Sequence, residues 1–316
     1  MSNVNKQVDG FTMRAELKRQ LAIVASQLCE YYKISDQTNR VHTLLTGVRL
    51  FRIDRYHKLT PQMYEQGIVV IFQGSKIGHL NQHQFGYDVE QCLIVSTSYP
   101  ITCETFASQQ EPLMGINIDL DINVISQLVS DMGLESKNWG EMDTRCGVSP
   151  AQMTESMYLC MLELLNVLHN PLDAKVLGPS ILRQFFYYLL QSEKGYLLAH
   201  YCEQDSSLAK ISAVIGHVQK NFAEKLHVNE LAAMAGMSVS VFHKVFKQVV
   251  TDPPLQYIKK IRLNHAKNYI LQEGLSASLA SQRVGYESAA QFSREFKRYF
   301  GVPPSRIDEI SDYSRK

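Results

Sequence analysis

A near-repeat in the C-terminal third of the chain constrains its fold more than any other feature. The segment "AGMSVSVFHKVF" runs from Ala235 to Phe246, and "VGYESAAQFSREF" runs from Val284 to Phe296. Over seventeen positions at an offset of 50, six residues are identical: Ser238/Ser288, Phe242/Phe292, Phe246/Phe296, Lys247/Lys297, Pro253/Pro303 and Pro254/Pro304. Chance does not produce this density of matches, so the chain builds one local structure twice.

Each copy predicts a helix-turn-helix unit. Small residues such as Ala232 and Ala280 let two helices approach closely, and Gly236 or Gly285 permits the positive φ of a sharp turn. A serine then caps the second helix, and phenylalanines at helical spacing point inward. The opposite face of each second helix is therefore available to a partner.

The available faces carry short polar, amide and cationic side chains. The first copy has Ser240, His243, Lys244 and Lys247 there, and the second has Ala290, Gln291, Arg294, Lys297 and Arg298. Such groups suit the base edges and phosphates of a DNA major groove. A helical hairpin that binds nothing is the alternative, and two cationic copies argue against it.

The segment Pro254–Glu273 predicts one long helix between the two units. A rigid spacer of this kind would let one protomer enter two successive major grooves, about 34 Å apart. Charge supports this interpretation, because residues 208–316 hold 16 Lys and Arg against 9 Asp and Glu, whereas residues 1–207 hold 16 against 22. The basic end favours a polyanionic partner.

The N-terminal part has a different pattern of predicted secondary structure and, in a chain of 316 residues, predicts a separate domain. Residues 12–34 have helical periodicity, and residues 43–120 contain at least five short β-rich segments separated by turn residues. Helices are predicted again at 123–132, at 149–169 and from about Val176 onward. The apolar stripe of the 149–169 helix is either core packing or a dimer face. The expected fold class is α+β: an N-terminal antiparallel barrel with flanking helices, then an all-α domain of two helix-turn-helix units joined by a long helix.

The segment Leu231–Ile307 resembles the AraC/XylS family of transcription regulators, through "LAAMAGMSVSVFHKVFKQVVTDPPLQYIKKIRLNHAKNYIL" and "VGYESAAQFSREFKRYFGVPPSRI". The resemblance implies that Ser240, His243, Lys244, Ala290, Gln291 and Arg294 face the bases. It also implies phosphate contacts from Ser238, Lys247, Ser288, Lys297 and Arg298, with Gly236 and Gly285 in the turns. Ala290 departs from the larger polar residues frequent in the family, so the second helix is expected to contact fewer bases.

The segments "TGVRLFRIDR", "PQMYEQGIVVIFQGSKIG", "YDVEQCLIVSTSYPITCETF" and "PLMGINIDLD" resemble the cupin-like N-terminal region of one subgroup of that family. The implied organisation is a cupin-like domain at 1–200, a linker at 201–207 and a DNA-binding domain at 208–310. The implied partners are double-stranded DNA, RNA polymerase if the protein is an activator, a small effector in an apolar barrel interior, and a second protomer. The alternative is a constitutive DNA-binding regulator whose barrel is only a dimerisation scaffold.

Enzymatic chemistry has little support in the sequence. A cupin metal site needs a close histidine pair, but His79 and His83 are four residues apart, and alkyl transfer would need a zinc-bound cysteine cluster. The six cysteines contain no Cys-x-x-Cys motif and are expected to be buried packing residues. No cofactor is expected. The absence of a long apolar run or a signal-like segment predicts a cytoplasmic protein without a membrane partner.

Overall fold

The computed structural model describes residues 2–34, 39–80, 83–134, 147–202 and 206–307; the side chains of residues 2–12 and 83 lie outside this description. Within these ranges, ten strands form two antiparallel sheets. The six-stranded sheet has the order β1-β2-β9-β4-β7-β10, and the four-stranded sheet has the order β3-β8-β5-β6. The strands are β1 Arg40–His42, β2 Val48–Ile53, β3 His57–Tyr64, β4 Gly67–Gln73, β5 Ser75–Leu80, β6 His83–Tyr87, β7 Gln91–Val95, β8 Tyr99–Phe106, β9 Leu113–Ile118 and β10 Val148–Gln152.

Helices flank the sheets and supply the regular structure of the described residues 206–307. They are α1 Ser2–Tyr31, α2 Ile122–Asp131, α3 Glu155–Val167, α4 Pro171–Val176, α5 Gly178–Leu190, α6 Tyr196–Cys202, α7 Ser207–Asn221, α8 Val228–Met234, α9 Val239–Val250, α10 Pro254–Glu273, α11 Ala277–Arg283 and α12 Ala289–Phe300. Within the described ranges, none of them combines the length and apolar character needed to cross a bilayer.

The expected α+β class is confirmed, and the barrel takes the form of an open sandwich. No ladder of hydrogen bonds joins the two sheets among the described strands, although their inner faces share one core. A second core lies between the outer face of the six-stranded sheet and helices α1, α3, α5 and α6. Alternating side chains along the strands of the six-stranded sheet supply both cores, whereas the strands of the four-stranded sheet contribute only to the inner one.

The predicted helix at 149–169 begins too early. Residues Val148–Gln152 form β10, which pairs with β7 at the edge of the six-stranded sheet. An edge strand tolerates Pro150, which could not donate a hydrogen bond in the middle of a sheet. Helix α3 starts only after Thr154, whose hydroxyl accepts a hydrogen bond from the Met157 N–H.

Two further expectations concern the helices of the N-terminal domain. The apolar stripe of α3 is buried against α1 and α5, so it is core packing. In the predicted linker 201–207, Tyr201 and Cys202 complete α6 and Ser207 opens α7, while residues 203–205 lie outside the described part.

The two predicted helix-turn-helix units are confirmed as α8–α9 and α11–α12. Both turn glycines have positive φ, +64° at Gly236 and +80° at Gly285. Phe242 and Phe246 are buried in the first unit, and Phe292 and Phe296 are buried at the same positions of the second. The repeated sequence therefore gives the same packing twice.

Helix α10 joins the units and also contacts the four-stranded sheet. Its Tyr257 hydroxyl donates to the Ser98 carbonyl at 2.9 Å, and its Lys267 Nζ donates to the Pro61 carbonyl at 3.2 Å. Lys267 also lies 5.3 Å from the centre of the Phe300 ring. The C-terminal helices thus rest on strands β3 and β8 of the N-terminal domain.

The two turn glycines differ in their surroundings, which predicts unequal effects of substitution. A Cβ on Gly236 would meet nothing within 4 Å, whereas a Cβ on Gly285 would lie 2.1 Å from the Ala223 carbonyl oxygen. We expect Gly236→Ala to lower the free energy of unfolding by about 1–2 kcal/mol through its positive φ alone. Gly285→Ala should cost about 1–3 kcal/mol more, because the backbone must move. Urea unfolding of both variants measures this, and equal losses would contradict the close approach.

The burial of Lys267 between α10 and β3 predicts that the free energy of unfolding depends on pH. Burial lowers the pKa of Lys267 from 10.5 to about 8, so between these values the folded protein binds fewer protons than the unfolded chain. Stability therefore rises with pH across that window. Relative to Lys267→Met, we expect the wild type to gain on the order of 1 kcal/mol between pH 7.5 and pH 10 in urea unfolding.

The exposed Lys220 on α7 provides the control, since Lys220→Met should leave the pH dependence as in the wild type. His57, the titratable neighbour of Lys267 on β3, has a pKa lowered by burial and by nearby cations and is neutral throughout this range. Identical pH profiles for Lys267→Met and the wild type would show that Lys267 is not buried in solution.

Candidate DNA interface

The second helix of the first unit presents the predicted face to solvent. Ser240, His243, Lys244 and Lys247 are all exposed on α9, while Phe242 and Phe246 on its other side are buried. The hydroxyl of Ser238 caps this helix by accepting from the Val241 N–H at 3.4 Å. The cap fixes where the helix starts and hence which side chains lie on its outer face.

The second unit repeats this arrangement with more cationic groups. Ala290, Gln291, Arg294, Lys297 and Arg298 are exposed on α12, and the Ser288 hydroxyl caps the helix by accepting from the Gln291 N–H at 3.3 Å. Within the described part of the chain, Arg294 and Lys297 have no side-chain hydrogen bond or ion pair. Their charges are therefore available to a polyanion.

Gln291 is less available than its neighbours on α12. Its Nε2 donates to Glu295 Oε1 at 3.2 Å, and the same carboxylate pairs with Lys259 of α10 at 3.0 Å. The other carboxylate oxygen of Glu295 accepts from the Tyr286 hydroxyl at 2.8 Å. This network ties the flank of α12 to α10. It places Gln291 at the edge of the exposed face, where a base contact would require its amide to turn away from Glu295.

Sequence reasoning missed Arg262, a residue of α10 that bridges the two units. Its Nε donates to the Phe222 carbonyl at 2.7 Å, its Nη2 to the Glu224 carbonyl at 2.7 Å and its Nη1 to the Gly285 carbonyl at 3.2 Å. A cleft of about 450 Å³ opens beside this guanidinium, and Lys225 and Lys259 also line it. In the sequence Arg262 resembles any other cation of a helix. Its role becomes visible only in the structure, which brings three carbonyls from distant segments to its guanidinium.

A second missed group lies inside the sandwich and corrects the expectation of an apolar interior. Lys76 on β5 is 7% exposed, and its Nζ donates to Tyr64 Oη at 2.9 Å and to Gln62 Oε1 at 3.1 Å. Tyr87 and Thr105 are its neighbours across the sheet, and the Tyr64 and Tyr87 hydroxyls share a hydrogen bond. The alternation "SKIGHL", which puts Lys76 on the same side as Leu80, is the signal that could have located it.

Lys76 has no carboxylate partner within ion-pair distance among the described residues. Burial lowers the pKa of its ammonium, and the cation Arg40 lowers it further. Thr105 Oγ1, also fully buried, has no hydrogen-bond partner in the described structure. The sandwich therefore contains a buried cation surrounded by neutral polar groups.

The described cysteines are packing residues with little thiolate character. Cys29, Cys92, Cys103 and Cys160 are buried and unpaired, as the sequence suggests, and Cys202 is half-buried. Burial raises the pKa of the Cys29 thiol to about 11 and that of Cys92 to about 12. Such thiols are poor nucleophiles at neutral pH. Cys146 lies outside the described residues.

Comparison with known proteins agrees with both halves of this description. Residues 44–197 match the model of the AraC-type transcriptional regulator N-terminus, and residues 231–309 match a helix-turn-helix domain model. The raffinose operon transcriptional regulatory protein RafR of Pediococcus pentosaceus is 28% identical over 151 residues, which is 47% of this chain and 53% of RafR. The Msm operon regulatory protein of Streptococcus mutans is 29% identical over 111 residues, 35% of this chain and 40% of its own. The chain thus spans about half or less of the length of these relatives.

Among solved structures, ToxT from Vibrio cholerae has a similar fold, with a TM-score of 0.58 and 13% sequence identity over 83% of this chain and 97% of ToxT. A structure of ToxT bound to an unsaturated fatty acid gives a TM-score of 0.55 at 11% identity, over 85% of this chain and 97% of that one. The similarity extends across both domains and so supports the same architecture. With an AraC-type N-terminal region followed by tandem helix-turn-helix units, the chain belongs to the AraC/XylS family.

Proposed function

We propose that the protein is a sequence-specific DNA-binding transcription regulator that acts from the cytoplasm and is modulated by a small effector. The observation that carries the DNA-binding half is the pair of exposed faces on α9 and α12, both fixed to α10. Each face presents cations that have no hydrogen-bond or ion-pair partner among the described residues, and the C-terminal segment has an excess of positive charge. One protomer would insert α9 and α12 into successive major grooves of one duplex.

Within this proposal the exposed residues divide into two roles. Ser240, His243, Lys244, Ala290, Gln291 and Arg294 contact bases, and Ser238, Lys247, Ser288, Lys297 and Arg298 contact phosphates. The serine hydroxyls already accept from their own helices, which leaves each hydroxyl hydrogen to donate to a phosphate oxygen. The division of the chain at 200 and 208 and the assembly into a homodimer belong to the same proposal. So does a contact with RNA polymerase, if the protein is an activator.

The roles of Arg294 and Lys297 can be separated by binding measurements. A selection from genomic fragments with the full-length protein supplies the preferred DNA, and fluorescence anisotropy then gives affinities for this DNA and for random DNA. Arg294→Ala should cost roughly 1–3 kcal/mol on the preferred DNA alone, because it removes a base contact. Lys297→Ala should weaken binding to all sequences alike and reduce the salt slope by about one.

Arg283 serves as the matched control, since it is an exposed arginine of the same domain that pairs with Glu273 away from both faces. Arg283→Ala should leave both affinities unchanged. If Arg294→Ala and Lys297→Ala lose the same affinity on preferred and random DNA, the assigned roles are wrong. If the wild type enriches no DNA, the DNA-binding proposal itself fails.

The effector half of the proposal rests on Lys76. A buried ammonium without an anionic partner is costly, and a ligand carboxylate would supply the missing charge. Gln62, which accepts from Lys76, is adjacent to Pro61, whose carbonyl accepts from Lys267 on α10. A ligand that displaced Gln62 would therefore disturb the strand on which the DNA-binding half rests. Because ToxT binds an unsaturated fatty acid, carboxylic acids are the ligand class to test first.

A thermal-shift screen tests this half directly. Oleate and short aliphatic and aromatic carboxylates are compared with the corresponding amides, on the wild type and on Lys76→Met. A binding carboxylate at a hundredfold excess over its dissociation constant should stabilise the wild type by about 2.7 kcal/mol and leave Lys76→Met unchanged. Equal stabilisation of both proteins would exclude Lys76 as the site. No stabilisation by any carboxylate would favour the constitutive regulator with a scaffold-only N-terminal domain.

A further inference from the structure

A junction between the two helix-turn-helix units is formed by three segments that are far apart in the sequence. The loop after α7, the middle of α10 and the turn between α11 and α12 meet at the Arg262 guanidinium. All three of its nitrogen atoms are used, two on the loop at Phe222 and Glu224 and one on the turn at Gly285. Because the guanidinium is planar and rigid, these bonds fix both position and orientation.

The carbonyls that Arg262 binds need a donor. Phe222 is the C-cap of α7, and the last carbonyls of a helix have no partner within the helix. A positive charge at this end also interacts favourably with the helix dipole. Arg262 thus anchors the end of α7, which packs on the first unit, to the turn of the second.

Two other contacts hold the same junction. Gly285 approaches the Ala223 backbone so closely that no side chain fits between them, whereas Gly236, at the equivalent place in the first unit, faces open space. The Phe222 ring stacks on the His265 ring of α10, with centroids 3.9 Å apart and planes 6° from parallel. The second turn is therefore placed against the first unit, and the contact is not a property of every copy of the motif.

Helix α10 packs into both units, and the Arg262 bonds add a direct link between them outside both cores. Its Ile261 packs in the first unit's core, and its Leu263 packs in the second unit's core. The short connection from Gly274 to Ser276 joins the second unit to the end of α10. The Arg262 bonds lie to one side of α10, so they resist rotation of the second unit about this helix and help to set the separation of α9 and α12.

We propose that Arg262 is a positioning residue for operator recognition: by locking the turn at Gly285 to the loop at 222–224, it sets the one spacing between two DNA half-sites that the protein accepts. This inference rests on the proposed DNA-binding function and adds a source of specificity to it. Arg262 contacts no base. It selects DNA by the distance and angular offset between the sequences that α9 and α12 contact.

The test measures affinity against spacing. The DNA preferred by the wild type is prepared with its original spacing and with one base pair added or removed between the two contacted segments. One base pair moves the second segment by about 3.4 Å and by about a tenth of a turn. The wild type should lose about tenfold or more in affinity with either change, whereas Arg262→Gln should lose less than about threefold.

Two further variants keep the result interpretable. Arg262→Lys retains the charge without the fork of three donors, so it should show the relaxed spacing preference even if Arg262→Gln fails to fold. Arg283→Gln removes an arginine that does not bridge the units and should keep the wild-type preference. Thermal unfolding of each variant reports its stability separately from its spacing preference.

The outcomes separate failure of the Arg262 inference from failure of the proposed DNA-binding function. If both Arg262 variants weaken binding equally at all three spacings, Arg262 only stabilises the domain and the inference is wrong. The inference is also wrong if the wild type binds all three spacings alike. If the wild type enriches no DNA in the initial selection, the proposed DNA-binding function is wrong, and the inference about spacing is wrong with it.

Discussion

Helix α10 is the element on which the rest of the structure depends. Its twenty residues supply Tyr257, Ile258 and Ile261 to the first unit's core and Leu263 and Ala266 to the second. Through the Tyr257 hydroxyl and Lys267 it also contacts the turn before β8 and strand β3 of the four-stranded sheet. Because α10 packs on the first unit, on the second unit and on the four-stranded sheet, one apolar stripe would not suffice, and its buried residues lie on several sides of the helix. Each body is thereby held relative to the other two.

The four-stranded sheet gives this arrangement a route for regulation. One side of the sheet faces the interior, where Lys76 lies with its neutral partners, and strands β3 and β8 of the same sheet contact α10. Gln62, which accepts from Lys76, and Pro61, whose carbonyl accepts from Lys267, are consecutive residues of β3. A shift of Gln62 would therefore also move the carbonyl that binds Lys267. An effector would act only if it bound the two arrangements of the sheet with different affinities. The same geometry would serve as a fixed scaffold if no ligand entered.

The sequence predicted those parts of the fold that depend on local pattern. The phenylalanine spacing, the turn glycines and the capping serines are properties of short segments, and all three are present in both units. The strand β10 was missed because Val148–Gln152 is followed directly by a helical pattern, and its strand conformation depends on pairing with β7. Arg262 and Lys76 were missed for a related reason. Their partners are residues distant in sequence: a cation in a helix such as Arg262 has no local signature, and the strand alternation around Lys76 indicates its side of the sheet but not its partners.

Hydroxyl-radical footprinting of the full-length protein on its selected DNA tests most directly whether one rigid protomer occupies two successive major grooves. At a salt concentration of about 0.15 M, each protomer should protect two segments on one face of the duplex, about 10–10.5 base pairs apart. Replacing the sequence under either segment should weaken both protections together, because α10 joins the two units. Protection of a single groove per protomer, or two protections that respond independently, would contradict the account.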